Sequence, residues 1–303
     1  MRTSTAAAGG LHVLLHVLLL PSLSESSEGQ EPRRTPATSK AEDRELPAVV
    51  HSRAKNDSEW RLSFSEDFLT PHNFTRYWTK KNGTIMGAFD DDQCYFSDNA
   101  FVHDGALVIE TREQKTTIAG RTTNFSSAWV TTEDYFSQKF GRFAFRAKLP
   151  NGSAPGIFPA LWLMPQSPAP CWPTAGEIDV MEYVNHPGCP PQELASCQVH
   201  STLHWGDACG KGLGHGVHGL WASPSANITD DFHVFAVEWT EDRLAWSVDG
   251  VEFFAQNSST VEIPQLPFYF IINTARRPEP YESFPWPVHF TIDWVRAWTR
   301  VTR

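Results

Sequence analysis

The sequence predicts an all-β chain built as an antiparallel β-sandwich of jelly-roll type. Three observations carry this. Short runs of alternating apolar and polar residues follow one another from Trp60 to the C-terminus, clusters of Gly, Pro, Asn and Asp separate them, and no stretch keeps a helical apolar period over about ten residues. Roughly a dozen such runs in one domain imply two packed sheets.

In chain order, residues 1–24 read as a secretory signal peptide. Arg2 supplies the positive end, Leu11 to Leu20 the apolar stretch, and Ser22-Leu23-Ser24 the small-residue cleavage site. About ten apolar residues are too few to cross a bilayer. Residues 25–57, rich in Ser, Glu, Pro, Arg and Lys, read as a flexible linker. Residues 58–303 read as one domain with strands expected at 60–68, 106–112, 128–133, 141–149, 158–164, 177–184, 198–205, 233–240, 243–255, 267–273 and 288–298. The clearest run is Arg142 to Leu149, where Phe143, Phe145, Ala147 and Leu149 share one face and Arg142, Arg146 and Lys148 the other. Asp249-Gly250 supplies the positive φ angles of a tight hairpin turn. Gly206 to Gly219 lacks the Lys-Ser/Thr ending of a phosphate loop and reads as a surface loop near the site.

A formal net charge of −10 argues against nucleic acid or an anionic membrane as partner and is easier to reconcile with a neutral substrate. Seven of the ten asparagines (56, 73, 82, 124, 151, 227 and 257) stand in Asn-x-Ser/Thr acceptor sequences, which points to a secreted, extracellular glycoprotein. Five cysteines in such a compartment leave at least one unpaired within the chain, and Cys189 with Cys197 is the plausible local bridge. None has a histidine at zinc-finger spacing.

The chemistry concentrates in Gly176 to Val184. Glu177, Asp179 and Glu182 interrupt a run of strand formers. Glu177 and Asp179 share a face, but Glu182 is five residues from Glu177 and would fall on the opposite one. A β-bulge around Val180 and Met181 returns it to the acid face and leaves Ile178 and Tyr183 in the core. Paired carboxyl groups cleave glycosidic bonds, one protonating the leaving oxygen and one acting at the anomeric carbon. For Glu177 and Glu182 to lean together, the strand must line a concave cleft. Asp179 between them raises at least one neighbouring pKa, although spacing alone does not decide which Glu takes which role.

The acid run resembles the bulged Glu-x-Asp-x-x-Glu signature of glycoside hydrolase family 16, in the form found in laminarinases and other endo-β-1,3-glucanases. An ordered set of further stretches over residues 60 to 300 resembles the same family: Glu66-Asp67-Phe68, Asp104 to Glu110, Gly141 to Pro150, Phe158 to Met164, Trp172-Pro173, Thr202 to Trp205 and Ile292 to Arg296. The resemblance implies a concanavalin-A-like jelly roll and a retaining endo-hydrolase of β-1,3-glucan or mixed β-1,3/1,4-glucan. It implies Glu177 as nucleophile, Glu182 as acid/base and Asp179 as the residue orienting the nucleophile. Trp162, Trp172, His204, Trp205 and Gln93 are the expected substrate contacts. No cofactor is required, Asp293 is a candidate ligand of a structural calcium, and a monomer is expected. A transglycosylase, a hydrolase of agar or carrageenan, and a noncatalytic β-glucan-recognition protein are the alternatives; retention of all three acids argues against the last.

The chain departs from the family pattern at Ala144, where Glu is common, at Phe158, where Trp is usual, and at Trp129, a frequent Arg. Asn273 to Pro287 lacks the usual Gly-Gly-x-Trp-Pro pattern and carries Arg276 and Arg277, read as solvated surface residues that could meet sulfate.

Overall fold

Alternation of Phe143 and Phe145 with Arg142 and Arg146 makes the strand β8 (Gly141–Lys148) two-faced, and the fold is the result of pairing such strands edge to edge and burying the aromatic faces. The computed structural model describes residues 60–85, 91–150, 154–166, 169, 171–183, 199–210, 214–221, 228–278 and 283–301. The expected signal peptide, linker and Cys189–Cys197 bridge lie outside them.

The remaining strands are β1 (Trp60–Glu66), β2 (Thr79–Lys80), β3 (Gln93–Tyr95), β4 (Ala100–His103), β5 (Ala106–Ile118), β6 (Arg121–Ser127), β7 (Trp129–Thr131), β9 (Ile157–Pro165) and β10 (Glu177–Tyr183). They continue with β11 (Val199–Trp205), β12 (His215–Trp221), β13 (His233–Trp239), β14 (Arg243–Val248), β15 (Val251–Asn257), β16 (Phe268–Arg276) and β17 (Val288–Arg300). One short helix, α1 (Pro71–Tyr77), follows β1. A ten-stranded sheet runs in the order β15-β14-β13-β8-β17-β5-β6-β3, with β1 joined to β17 and β4 to β5. A seven-stranded sheet runs β12-β11-β10-β9-β16-β7-β2. Among the described residues every pairing of these strands is antiparallel except β3 with β6, which is parallel.

Each of the eleven expected runs contains at least one strand, and the 243–255 run folds at its predicted turn, with φ of 49° at Asp249 and 76° at Gly250. The reading missed α1, β2, β3, β4, β6 and β12. Gly206 to Gly219 is corrected: its second half begins β12, which pairs residue for residue with β11. Two glycines disguised that strand. Gly219 is needed because a Cβ there would lie 2.3 Å from the Phe254 ring, which presses on β12 from β15.

The main core lies between the sheets. Phe270 of β16 meets Phe143 and Phe145 of β8 edge to face, with centroids 5.7 and 5.2 Å apart. Leu161, Leu163, Ile178, Leu203, Phe235 and Trp246 join the same cluster. Each such side chain stabilises by about 1.5–3 kcal/mol when taken from water. On the outer face of the large sheet, Ala144 packs with Val234 and Trp294. A carboxylate at position 144 would be buried there, which accounts physically for one departure from the family pattern.

Candidate active site

Strand β10 crosses the seven-stranded sheet between β9 and β11. Asp179 pairs with Trp162 on β9 and Thr202 on β11; beyond it the register slips, so that Met181 faces Leu161, and Glu182 faces Ala160 and His200. Val180 has no opposite residue on either strand, so the predicted bulge is borne out. Ile178, Val180, Met181 and Tyr183 all enter the core, and the three acids share the sheet's other face. The bulge is held at two carbonyls: Ser201 Oγ donates to Val180 O at 2.7 Å, and the Trp246 indole reaches across from the opposite sheet to Asp179 O at 2.9 Å.

Glu177, Asp179 and Glu182 are 6%, 2% and 8% exposed, which makes solvation too weak to support three charges in one row. Burial raises all three pKa values to about 8. For Glu177 the next cause is the Asp179 charge, opposed by His204; Glu182 raises it further, and the Trp172 hydrogen bond lowers it. Glu182 is likewise raised by Asp179 and eased by His204, Thr202 and Arg277. A hydrogen bond with Glu177 lowers Asp179 against its burial. The row therefore holds shared protons near neutral pH.

Directly opposed residues share a face, so the neighbours of the acids follow from register. His204 stands opposite Glu177, and its Nε2 lies 3.2 Å from Asp179 Oδ2, out of line for a hydrogen bond. The Trp172 indole N–H donates to Glu177 Oε2 at 2.8 Å, and the Thr202 hydroxyl donates to Glu182 Oε2 at 3.2 Å. Trp172 sits on a turn that a disulfide between Cys171 and Cys209 ties to the chain leaving β11, where Gly210 N–H also donates to Trp172 O at 3.1 Å. Cys94 is the unpaired cysteine among the described residues, and its burial pushes the thiol up to about 11.

Of the expected substrate contacts, Trp172 and His204 stand at the acids. Trp162 lies beside Asp179 but is 4% exposed, its indole donating to Asn273 Oδ1 at 2.8 Å, within a cluster that includes Trp129, Tyr95 and Tyr269. The other two stand apart from the acids. Trp205 alternates with His204, so it takes the other face and packs against the main core. Gln93 has no exposed surface; its amide donates to Tyr95 Oη at 3.1 Å and accepts the Arg276 N–H at 2.7 Å, which makes it a support behind the cleft.

Thr202 and Arg277 were not anticipated as partners of Glu182. Thr202 was legible, because it shares a face with His204 two residues on. Arg277 needed the pairing of β16 with β9. As for cations, Glu177, Asp179 and His204 bring one donor atom each within 4.8 Å of one another, with Glu177 already engaged by Trp172. Asp293, the candidate calcium ligand, accepts from Arg146 Nη1 at 2.5 Å.

Comparison with known proteins matches residues 92–296 to the model of glycosyl hydrolases family 16. Glucan endo-1,3-beta-glucosidase A1 of Niallia circulans is 32% identical over 225 residues, spanning 66% of this chain and 30% of that protein. The glucan endo-1,3-beta-glucosidase of Cryptopygus antarcticus is 31% identical over 269 residues, 79% of this chain and 92% of its own length. The laminarinase catalytic domain of Thermotoga maritima MSB8 superposes with a TM-score of 0.68 at 30% identity, covering 80% of this chain and all of that one.

Proposed function

The chain belongs to glycosyl hydrolases family 16, and from that premise we propose that it cleaves β-1,3-glucan of laminarin type, or mixed β-1,3/1,4-glucan, internally and with retention of configuration. The observation that carries the division of roles is the difference between the two donors. An indole N–H can only donate, so Trp172 favours an ionised Glu177, the state a nucleophile requires. A hydroxyl donates or accepts, so Thr202 suits Glu182 in both protonation states, as an acid/base must cycle.

In the first step the Glu177 carboxylate attacks the anomeric carbon while the proton on Glu182 passes to the departing glycosidic oxygen. A glycosyl ester on Glu177 results. In the second step Glu182 takes a proton from water, the hydroxide adds to the anomeric carbon, and the Glu177 carboxylate leaves. Asp179, hydrogen-bonded to Glu177, orients it and moderates the charge on both neighbours. The two glutamates and the attacking water supply every proton and electron pair, so the reaction in this reading needs no cofactor.

Secretion as a glycoprotein is part of the proposal, supported by the leader-like N-terminus and by the exposure of the acceptor residues Asn82, Asn124 and Asn257. Reducing-sugar release from laminarin, mixed-linkage glucan, agarose and carrageenan in parallel tests the substrate. Release from the first two is expected; release from the galactans alone overturns the glucan reading. Chromatography of the products separates hydrolysis from transfer to a second sugar.

A further inference from the structure

Two adjacent arginines occupy the end of β16 and the residue after it, and the fold uses them in opposite ways. Arg276 is 2% exposed, stacks on Phe125 at 4.3 Å, and donates from Nη1 to Asp92 Oδ2 at 3.2 Å. Its charge is consumed inside the protein, which corrects its reading as a solvated residue. Arg277 is partly exposed, and its guanidinium lies over the Phe158 ring at 4.5 Å. Its backbone is fixed as well: Arg277 N–H donates to Gly156 O at 2.8 Å, an approach so close that a Cβ on Gly156 would sit 2.2 Å from Arg277 O.

Register places this cation on the acid face. Asn273 opposes Ala160, which opposes Glu182; Ala275 opposes Phe158, and Arg277 is the next residue of that alternation. Among the described residues no carboxylate forms an ion pair with Arg277, while its positive charge acts on Glu182. Phe158 covers one face of the guanidinium, and none of the described residues accepts a hydrogen bond from its in-plane N–H donors, a fork that fits two oxygens of one anion.

Building on the glycosidase reading, we propose that Arg277, seated on Phe158, is a specificity residue that takes an anionic substituent, a sulfate ester or a carboxylate, on the sugar at the Glu182 end of the cleft. The acid row repels the same substituent elsewhere, so the preference is positional: a charged group is accepted beside Arg277 and rejected beside Glu177.

The test uses one β-1,3-glucan in three forms, neutral, lightly sulfated and lightly carboxymethylated, with wild type, Arg277→Lys and Arg277→Gln. The readout is kcat/KM on each charged polymer divided by that on the neutral one. Arg277→Gln is expected to lower this ratio by about ten- to a hundredfold, the value of a charge-assisted pair, with Arg277→Lys between. A drop on one polymer only identifies which anion is read. Ratios equal in all three proteins overturn the proposal while leaving the glucanase reading intact. Wild-type cleavage of the charged polymers but not the neutral one, with kcat/KM on the charged polymers falling in Arg277→Gln and less in Arg277→Lys, overturns the neutral-glucan reading and sustains this one.

Discussion

The two ends of the acid row are built from the same residue type and surrounded by different chemistry. At the Glu177 end, a donor-only indole is fixed on a turn that a disulfide and a backbone hydrogen bond tie to the neighbouring strand connection. At the Glu182 end, a rotatable hydroxyl and a cation resting on an aromatic ring face the second carboxylate. Both glutamates are raised to about 8, so burial does not distinguish them. What distinguishes them is the kind of partner. A donor-only partner favours the charged state, and an adaptable partner serves both.

The largest effect that would break this comparison comes from removing each carboxylate. Glu177→Gln is expected to lower kcat on laminarin by about 10⁴-fold or more, because no other group can form the ester. Glu182→Gln is expected to cost roughly 10²–10⁴-fold, and less on a substrate whose leaving group needs no proton. Equal losses on such an activated substrate would erase the difference between the ends.

The next effect tests the partners. Trp172→Phe keeps the ring and removes the donor, leaving the Glu177 charge less stabilised; kcat/KM should fall about ten- to a hundredfold. Thr202→Val should cost less and shift the pH profile of kcat, because it touches the group that cycles. A larger loss in Thr202→Val than in Trp172→Phe would reverse the assignment.

Stability against pH sharpens the electrostatic side. Burial raises the acids of the folded row toward about 8, so the row shares protons near neutral pH that its carboxyl groups release near 4 in the unfolded chain. Folding therefore holds protons that unfolding releases, and the contribution present at low pH is lost as pH rises through the folded values. The melting temperature should fall from pH 5 toward pH 8, and Asp179→Asn should flatten that fall. Parallel curves for the two proteins would contradict the shared-proton row.

The smallest effect concerns the bulge common to both ends. Ser201→Ala leaves the buried Val180 carbonyl without its donor, at a cost of about 1–3 kcal/mol. If the bulge positions Glu182 relative to Glu177, kcat should drop with KM unchanged, and Ser201→Thr should restore it. A loss of melting temperature without any change in kcat would confine Ser201 to a structural role.

The acid row shows why part of this site was legible in the sequence. A step of five residues between two glutamates in a strand has one simple structural solution, and the register slip between Asp179 and Glu182 is that solution. Strong alternation likewise located β8, β9 and β16. Polar or glycine-bearing strands such as β6, with its Arg-Thr-Thr-Asn start, and β12 carried no apolar signal, because their stability comes from pairing and from neighbours such as Phe254. Trp205 and Gln93 lie away from the acids for a related reason. Residue type suggested sugar contacts, whereas the strand face of one and the burial of the other are settled by tertiary packing. Arg277 depends on the pairing of two strands more than 100 residues apart, which no local pattern contains.

The division of labour between the two glutamates is tested most directly by trapping the intermediate. A 2-deoxy-2-fluoro laminari-oligosaccharyl fluoride, which loads the enzyme faster than water unloads it, should inactivate the protein stoichiometrically. Mass-spectrometric peptide mapping should then find the sugar esterified to Glu177. An adduct on Glu182 or Asp179, or no adduct in a preparation that hydrolyses laminarin, would contradict the account.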